Sequence, residues 1–311
     1  MSLRNSIFDN HERNLYKHLK SIWGKIFNIY PQLPFTKIFD IDTLNVNEGE
    51  RDFLLKTNID YTICDKKDRP LMCIEFDGMG GGYSREGKYI PNLKIIPLKG
   101  RELRKRKLEL KLRIAKEHQF PFFVVSFEET KELIPEKIHL TILDGIIGKT
   151  IGRIKFREGI NKFLKDLEDE INSIKDEEQR HKYIHDAITT YEAMVDLDPI
   201  ANKAFEIMAI LAKRKIKSSE GIIFKPFTEP ELSEIKDEFD IEGLEKRLEA
   251  RKNVEWVGCE VVCETPKGVI REKVKVRNFE DEFIVPYGIA FDIAMLLVYY
   301  KLAELEGIKI E

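Results

Sequence analysis

Three carboxylates in the first third of the chain stand where they could hold a hard cation. Asp60 lies in Ile59-Asp60-Tyr61-Thr62-Ile63-Cys64, and Glu75 and Asp77 lie in Leu71-Met72-Cys73-Ile74-Glu75-Phe76-Asp77-Gly78. Both runs are rich in β-branched and aromatic residues, and the polar stretch from Asp65 to Pro70 predicts a turn, so the two read as a hairpin. Alternate side chains of a strand share a face, which sends Glu75 and Asp77 one way and Ile74 and Phe76 the other. Acids gathered in this manner repel each other unless positive charge sits among them. Mg²⁺ or Mn²⁺ suits oxygen ligands, and Mg²⁺ is usually held by one or two carboxylates together with water and substrate phosphate. The competing reading is that Asp60 and Asp77 merely mark strand ends.

The elements before the hairpin must deliver any further acid. A helix is expected from about His11 to Ile26, with Leu15, Leu19, Ile22, Trp23 and Ile26 as its apolar face. At about 100° per residue, Glu12 falls inside that apolar arc. As a first-turn acid it would also complement the helix dipole without any further role. Pro31-Gln32-Leu33-Pro34-Phe35 reads as an extended connector, Lys37 to Phe39 as a strand, and Asp42 to Arg51 as a polar loop. After the hairpin, Met79-Gly80-Gly81-Gly82-Tyr83-Ser84 predicts a flexible loop at the mouth of the acidic site, and it matches no phosphate-cradling pattern.

The helix expected from Arg101 to Glu117 brings the opposite charge. Nine Lys/Arg and two Glu lie between Lys99 and Lys116, a local phosphate footprint in which Arg101, Arg104, Lys105 and Lys107 would bind a nucleic-acid backbone. A charge run of this kind is more often a solvated helix face, so direction matters. Leu103, Leu110 and Ile114 point one way and Leu108, Leu112 and Ala115 another, with Lys111 between them. Lys111 is thereby aimed inward, as a charge partner or reagent. Phe120 to Phe127 then reads as a buried strand, and helix, strands, helix, strand is an α/β unit.

In this order the residues resemble the PD-(D/E)xK nuclease superfamily, with its restriction-endonuclease-like core of helix, three strands, crossover helix and further strand. The likeness runs from about Phe8 to Glu128. It is nearest to a branch of small domains sharing E-x-D-G with very-short-patch-repair-like endonucleases, in which a lysine on the next helix replaces the E-x-K lysine. The resemblance implies Asp60, Glu75, Lys111 and Glu12 as catalytic residues, Asp60, Glu75 and Asp77 as Mg²⁺ (or Mn²⁺) ligands, and DNA as the substrate, with RNA left open. No His follows Gly78, and Arg104 to Lys107 are basic where relatives often carry an acid. A nuclease fold kept only as a nucleic-acid-binding or scaffold module is the alternative.

Composition sets the outer limits. With 52 basic and 55 acidic residues among 311, the chain is no wholly basic coat protein, so a phosphate-binding surface must be local. Cys64, Cys73, Cys259 and Cys263 form no CxxC pair and read as buried thiols rather than a zinc site. With neither a long apolar run nor a leader, the reading is cytoplasmic. Residues 1–150 are expected to form the nuclease-like domain and 151–311 a helical region serving substrate recognition or homodimer formation. Within the latter, helices are expected from about Gly152, over Tyr183 to Val195 and Ile200 to Lys215, then a hairpin turning at Thr265-Pro266-Lys267-Gly268, then an apolar helix from Ile289 to Leu305. His181 and His185 share a helix face without a third ligand and read as solvated.

Overall fold

Leu15, Leu19 and Trp23 recur at helical spacing and are buried along one side of the first helix, α1 (Asn10–Trp23). In the computed structural model, residues 10–78, 80–83, 89–91, 98–216, 222–229, 256–279 and 286–310 are described. The chain divides into one compact unit ending at Thr130 and another beginning at Lys131. Residues 131–150 thus belong with the second unit, although the sequence reading assigned them to the first domain.

The first unit continues with β1 (Asn28–Pro34), α2 (Glu48–Leu54), β2 (Asn58–Cys64), β3 (Pro70–Phe76), β4 (Gly80–Tyr83), β5 (Tyr89–Pro91), α3 (Leu98–Glu117) and β6 (Phe122–Val125). Its main sheet has the order β1-β2-β3-β6. The first three strands run antiparallel, and β6 lies parallel to β3. A parallel neighbour needs a long crossover, and α3 is part of it. The glycine run expected to be a loop pairs instead as β4 with β5.

Three local expectations are corrected here. The Pro-bearing connector is a strand, because β1 is the edge of the sheet and a missing N–H is tolerated there. The segment read as a strand at Lys37 to Phe39 is a 3₁₀ turn over Phe35–Lys37, and its two buried rings, Phe35 and Phe39, stack at 4.7 Å. The polar stretch ending at Arg51 contains a 3₁₀ turn and the start of α2. There the Asn47 side chain accepts from the Glu50 amide and the Glu50 carboxylate from the Asn47 amide, each at 3.0 Å.

One face of the sheet packs Cys73, Phe122 and Val124 with Leu108, Leu110, Ile114 and Ala115 of α3. Leu103, expected in that core, is exposed, because packing on α3 begins only at Leu108. On the opposite face, Phe76 meets Phe127 edge-on at 5.1 Å, His11 meets Phe127 at 4.9 Å, and the Tyr61 hydroxyl donates to the Glu12 carbonyl at 2.8 Å. Those contacts set the start of α1 against that side.

The second unit holds β7 (Glu132–Ile134), β8 (Ile138–Thr141), α4 (Ile142–Asp166), α5 (Glu168–Ser173), α6 (Glu177–Val195), α7 (Pro199–Lys213), β9 (Ile222–Glu229), β10 (Trp256–Thr265), β11 (Gly268–Arg277) and α8 (Pro286–Leu305). Strands β9, β10 and β11 form an antiparallel sheet. The turn between β10 and β11 needs a glycine, since Gly268 has φ 137°. Helix α4 begins earlier than expected, and Leu143, Ile146, Ile147 and Ile151 in its first half are all buried. Leu296, Val298, Leu302 and Ala303 of α8 are buried too, so that helix serves the core. All four cysteines are free and buried. Among the described residues no helix is long and apolar enough to cross a membrane.

Helix α4 touches the α6–α7 connection backbone to backbone. A Cβ on Gly148 would lie 2.6 Å from the Asp198 Cα, whereas one on Gly288 in the first turn of α8 would meet nothing within 4 Å. Alanine is a better helix former than glycine by roughly 1 kcal/mol. Gly288→Ala should therefore stabilise the protein by up to about that amount, while Gly148→Ala should destabilise it by about 1–3 kcal/mol through forced separation. Urea unfolding of the two variants against wild type checks both signs.

Candidate active site

Strand pairing dictates most of the site. Tyr61 pairs with Ile74, so Asp60 and Glu75 stand across from each other on the next rung, with their side chains on the α3 face. They are cross-linked through the backbone. The Asp60 amide donates to Glu75 Oε2 at 3.2 Å, and the Phe76 amide donates to Asp60 Oδ2 at 2.8 Å. The other Asp60 oxygen, Oδ1, accepts from Gln32 Nε2 at 2.9 Å.

Helix α3 supplies the positive charge. Seven residues are about two helical turns, so Arg104 and Lys111 share a side of α3, and they meet Asp77, just past the end of β3, and Glu75 within it. Lys111 is buried, hydrogen-bonds Glu75 Oε1, and donates to the Asn58 carbonyl at 2.7 Å. Arg104 Nε lies 2.6 Å from Asp77 Oδ1, and Asp77 is fully buried. Lys111 thus points inward as its position on the helix predicted. Arg104 does not face outward toward a phosphate but lies on an acid.

Burial and repulsion by Asp60 push the Glu75 carboxyl up to about 7, against the pull of Lys111. Burial also raises Asp60, opposed by the Phe76 amide, Lys111, Gln32 and Arg104. Two adjacent acids with raised values form a place where cationic charge is favoured, and their hard oxygens fit Mg²⁺ or Mn²⁺. Among the described residues no group of three or more His, Cys, Asp or Glu is gathered as metal ligands. Asp77 is engaged by Arg104, and the backbone carbonyl of Glu12 accepts from the Tyr61 hydroxyl at 2.8 Å.

Lys105 lies 3.8 Å from Glu109, and Lys107 sits 5.3 Å over the Phe53 ring. The Arg101 side chain lies outside the described residues. His181 and His185 are exposed on α6.

A second polar cluster went unread in the sequence. In the second unit, Lys149 Nζ lies 2.7 Å from Asp292, 3.3 Å from Asp196 and 3.5 Å from Asp198. Burial pushes Asp198 up to about 7, opposed by Lys149 and reinforced by Asp292 and Asp196. Burial alone would lower Lys149, but the three carboxylates hold it well above its ordinary value. Asp198 also caps α7, accepting from the Ile200 amide at 2.9 Å. The cap-and-proline pair Asp198-Pro199 was legible, but its meeting with Lys149 and Asp292, far apart in sequence, was not.

Fold and site together define a mixed α/β protein whose four-stranded sheet carries acids neutralised from a crossover helix. Residues 4–89 are similar to a protein family described as of unknown function, DUF2726. That span includes Glu12, Gln32, Asp60, Glu75 and Asp77 and stops before α3. No curated protein and no solved structure matches the chain.

Glu75 titrates at about 7 in the fold against an ordinary 4.5. Its contribution to stability is therefore fully present below pH 4.5 and is lost as pH rises through about 7. Urea midpoints of wild type should fall over that interval relative to Glu75→Gln, a comparison that removes the parallel titration of Asp198. Lys111→Met should cost about 3–5 kcal/mol at pH values where Glu75 is ionised, and clearly less where it is protonated.

Proposed function

We infer that this chain is a metal-dependent nuclease that hydrolyses phosphodiester bonds of DNA, built on a restriction-endonuclease-like core. The observation that carries the reading is the joint engagement of Glu75 by Lys111 from α3 and by the Asp60 amide from the neighbouring strand. The element order helix, three antiparallel strands, helix, parallel strand supports it as well. Asp60 and Glu75 would hold Mg²⁺ or Mn²⁺, which when bound acidifies a water and acts as a Lewis acid toward the phosphate. Lys111 keeps negative charge on Glu75 and stands within reach to orient a water or offset phosphate charge. Lys105 and Lys107 would position the strand by its phosphates without reading bases.

A second reading, a nuclease fold retained as a non-catalytic binding or scaffold module, draws on one observation. Lys111 and Arg104 already neutralise Glu75 and Asp77, so these acids stand without an added ion.

Supercoiled plasmid should be nicked by the purified protein with Mg²⁺ or Mn²⁺ and spared in EDTA. Asp60→Asn and Glu75→Gln should each lower the rate by roughly 10²-fold or more. Mn²⁺ affinity should fall as pH drops through about 7, where a proton competes for Glu75. DNA binding without cleavage, and without calorimetric binding of Mn²⁺, would favour the scaffold reading. Cleavage that survives both substitutions would refute the assigned site.

A further inference from the structure

Five non-glycine residues have a left-handed backbone among the described residues: Gln32, Asp68, Gln119, Glu136 and Lys215. Asp68, Gln119, Glu136 and Lys215 lie in turns or just past helix ends, where that conformation is ordinary. Gln32, at φ 52°, lies inside β1. A side chain bearing a Cβ is disfavoured there, and a glycine would adopt the same backbone freely. The register of β1 on β2 is the same on either side of this residue, with Pro31 opposite Tyr61 and Leu33 opposite Ile59, which leaves Gln32 across from Asp60. Its side-chain amide uses that position to donate to Asp60 Oδ1 at 2.9 Å, while Oδ2 of the same carboxylate accepts from the Phe76 amide.

We propose that Gln32 is a positioning residue of the acidic site, held in an unfavourable backbone conformation so that its amide fixes the plane of the Asp60 carboxylate. With one donor on each oxygen, the carboxylate cannot rotate about its last bond without breaking both hydrogen bonds, and the remaining lone pairs are aimed in a set direction. A carboxylate that ligates a cation is oriented in this way by outer hydrogen bonds, and loss of such a partner lowers metal affinity by about 10–100-fold. The strain at Gln32 and its contact with Asp60 then have one cause. Local strain retained where the surrounding structure could have relieved it with glycine marks a functional constraint. This inference rests on the reading of Asp60 as a cation ligand.

The test uses the full chain with Gln32→Gly, which frees the backbone and removes the amide, and Gln32→Leu, which keeps the bulk and removes the amide. Mn²⁺ affinity is measured by calorimetry, and stability by urea unfolding. Both variants should bind Mn²⁺ about 10–100-fold more weakly than wild type, while Gln32→Gly unfolds at the same or a higher urea concentration. Equal Mn²⁺ affinity in wild type and both variants would overturn the role of Gln32 and leave the cation site standing. A marked loss of stability in Gln32→Gly would overturn it too, by assigning the glutamine to the fold. Wild-type protein that binds no Mn²⁺ would sink the cation reading itself, and with it the role given to Gln32.

Discussion

Burying a carboxylate is unfavourable unless charge and hydrogen bonds accompany it into the interior, and the first unit is arranged around that constraint. Glu75 lies on the covered face of β3 and Asp77 just past its end, and α3 crosses that face with Lys111 and Arg104 directed at them. The helix is thus fixed by apolar contacts from Leu108 onward and by two ionic contacts at defined positions along its length. A rotation of α3 by one residue would leave the carboxylates of Glu75 and Asp77 buried without their cations. The ion pairs therefore specify the register of helix on sheet more than they add to net stability.

The same arrangement determines what chemistry the site could support. Glu75 is drawn in two directions, toward protonation by burial and Asp60 and toward ionisation by Lys111. Such a group responds to any added cation or proton near neutral pH, which is a property a hydrolytic site needs and an inert core does not. Asp60 is held by hydrogen bonds on both oxygens, so its freedom is small where the proposed chemistry would require a fixed ligand. The cationic stripe of α3 is correspondingly divided: Arg104 and Lys111 serve the acids, and Lys105 and Lys107 lie more toward solvent.

The second unit meets a similar constraint with the signs reversed, one lysine among three aspartates. Asp196 and Asp198 come from the connection into α7, Asp292 from α8 and Lys149 from α4. Close approach is possible because Gly148 presents no side chain to that connection. A small residue in a helix interior, unfavourable by propensity alone, is retained where two backbones touch. Here the cluster joins elements of the fold; no catalytic role is assigned to it.

Periodicity determined a good part of this protein before any coordinates. The β2–β3 and β10–β11 hairpins, the apolar face of α1 as far as Trp23 though not the exposed Ile26, the inward aim of Lys111 and the burial of all four cysteines follow from alternation, helical spacing and turn residues, which act over a few neighbours. The capping pair Asn47 and Glu50 was equally legible and would have placed α2 where a loop was read. Other features had no local signal. Prolines disguised β1, because only its place at the sheet edge makes them tolerable, and the pairing of Arg104 with Asp77, the contact of Gln32 with Asp60 and the Lys149 cluster join residues distant in sequence. Such pairings depend on how strands and helices are stacked, and a chain records its own neighbours far more plainly than the partners that folding brings to it.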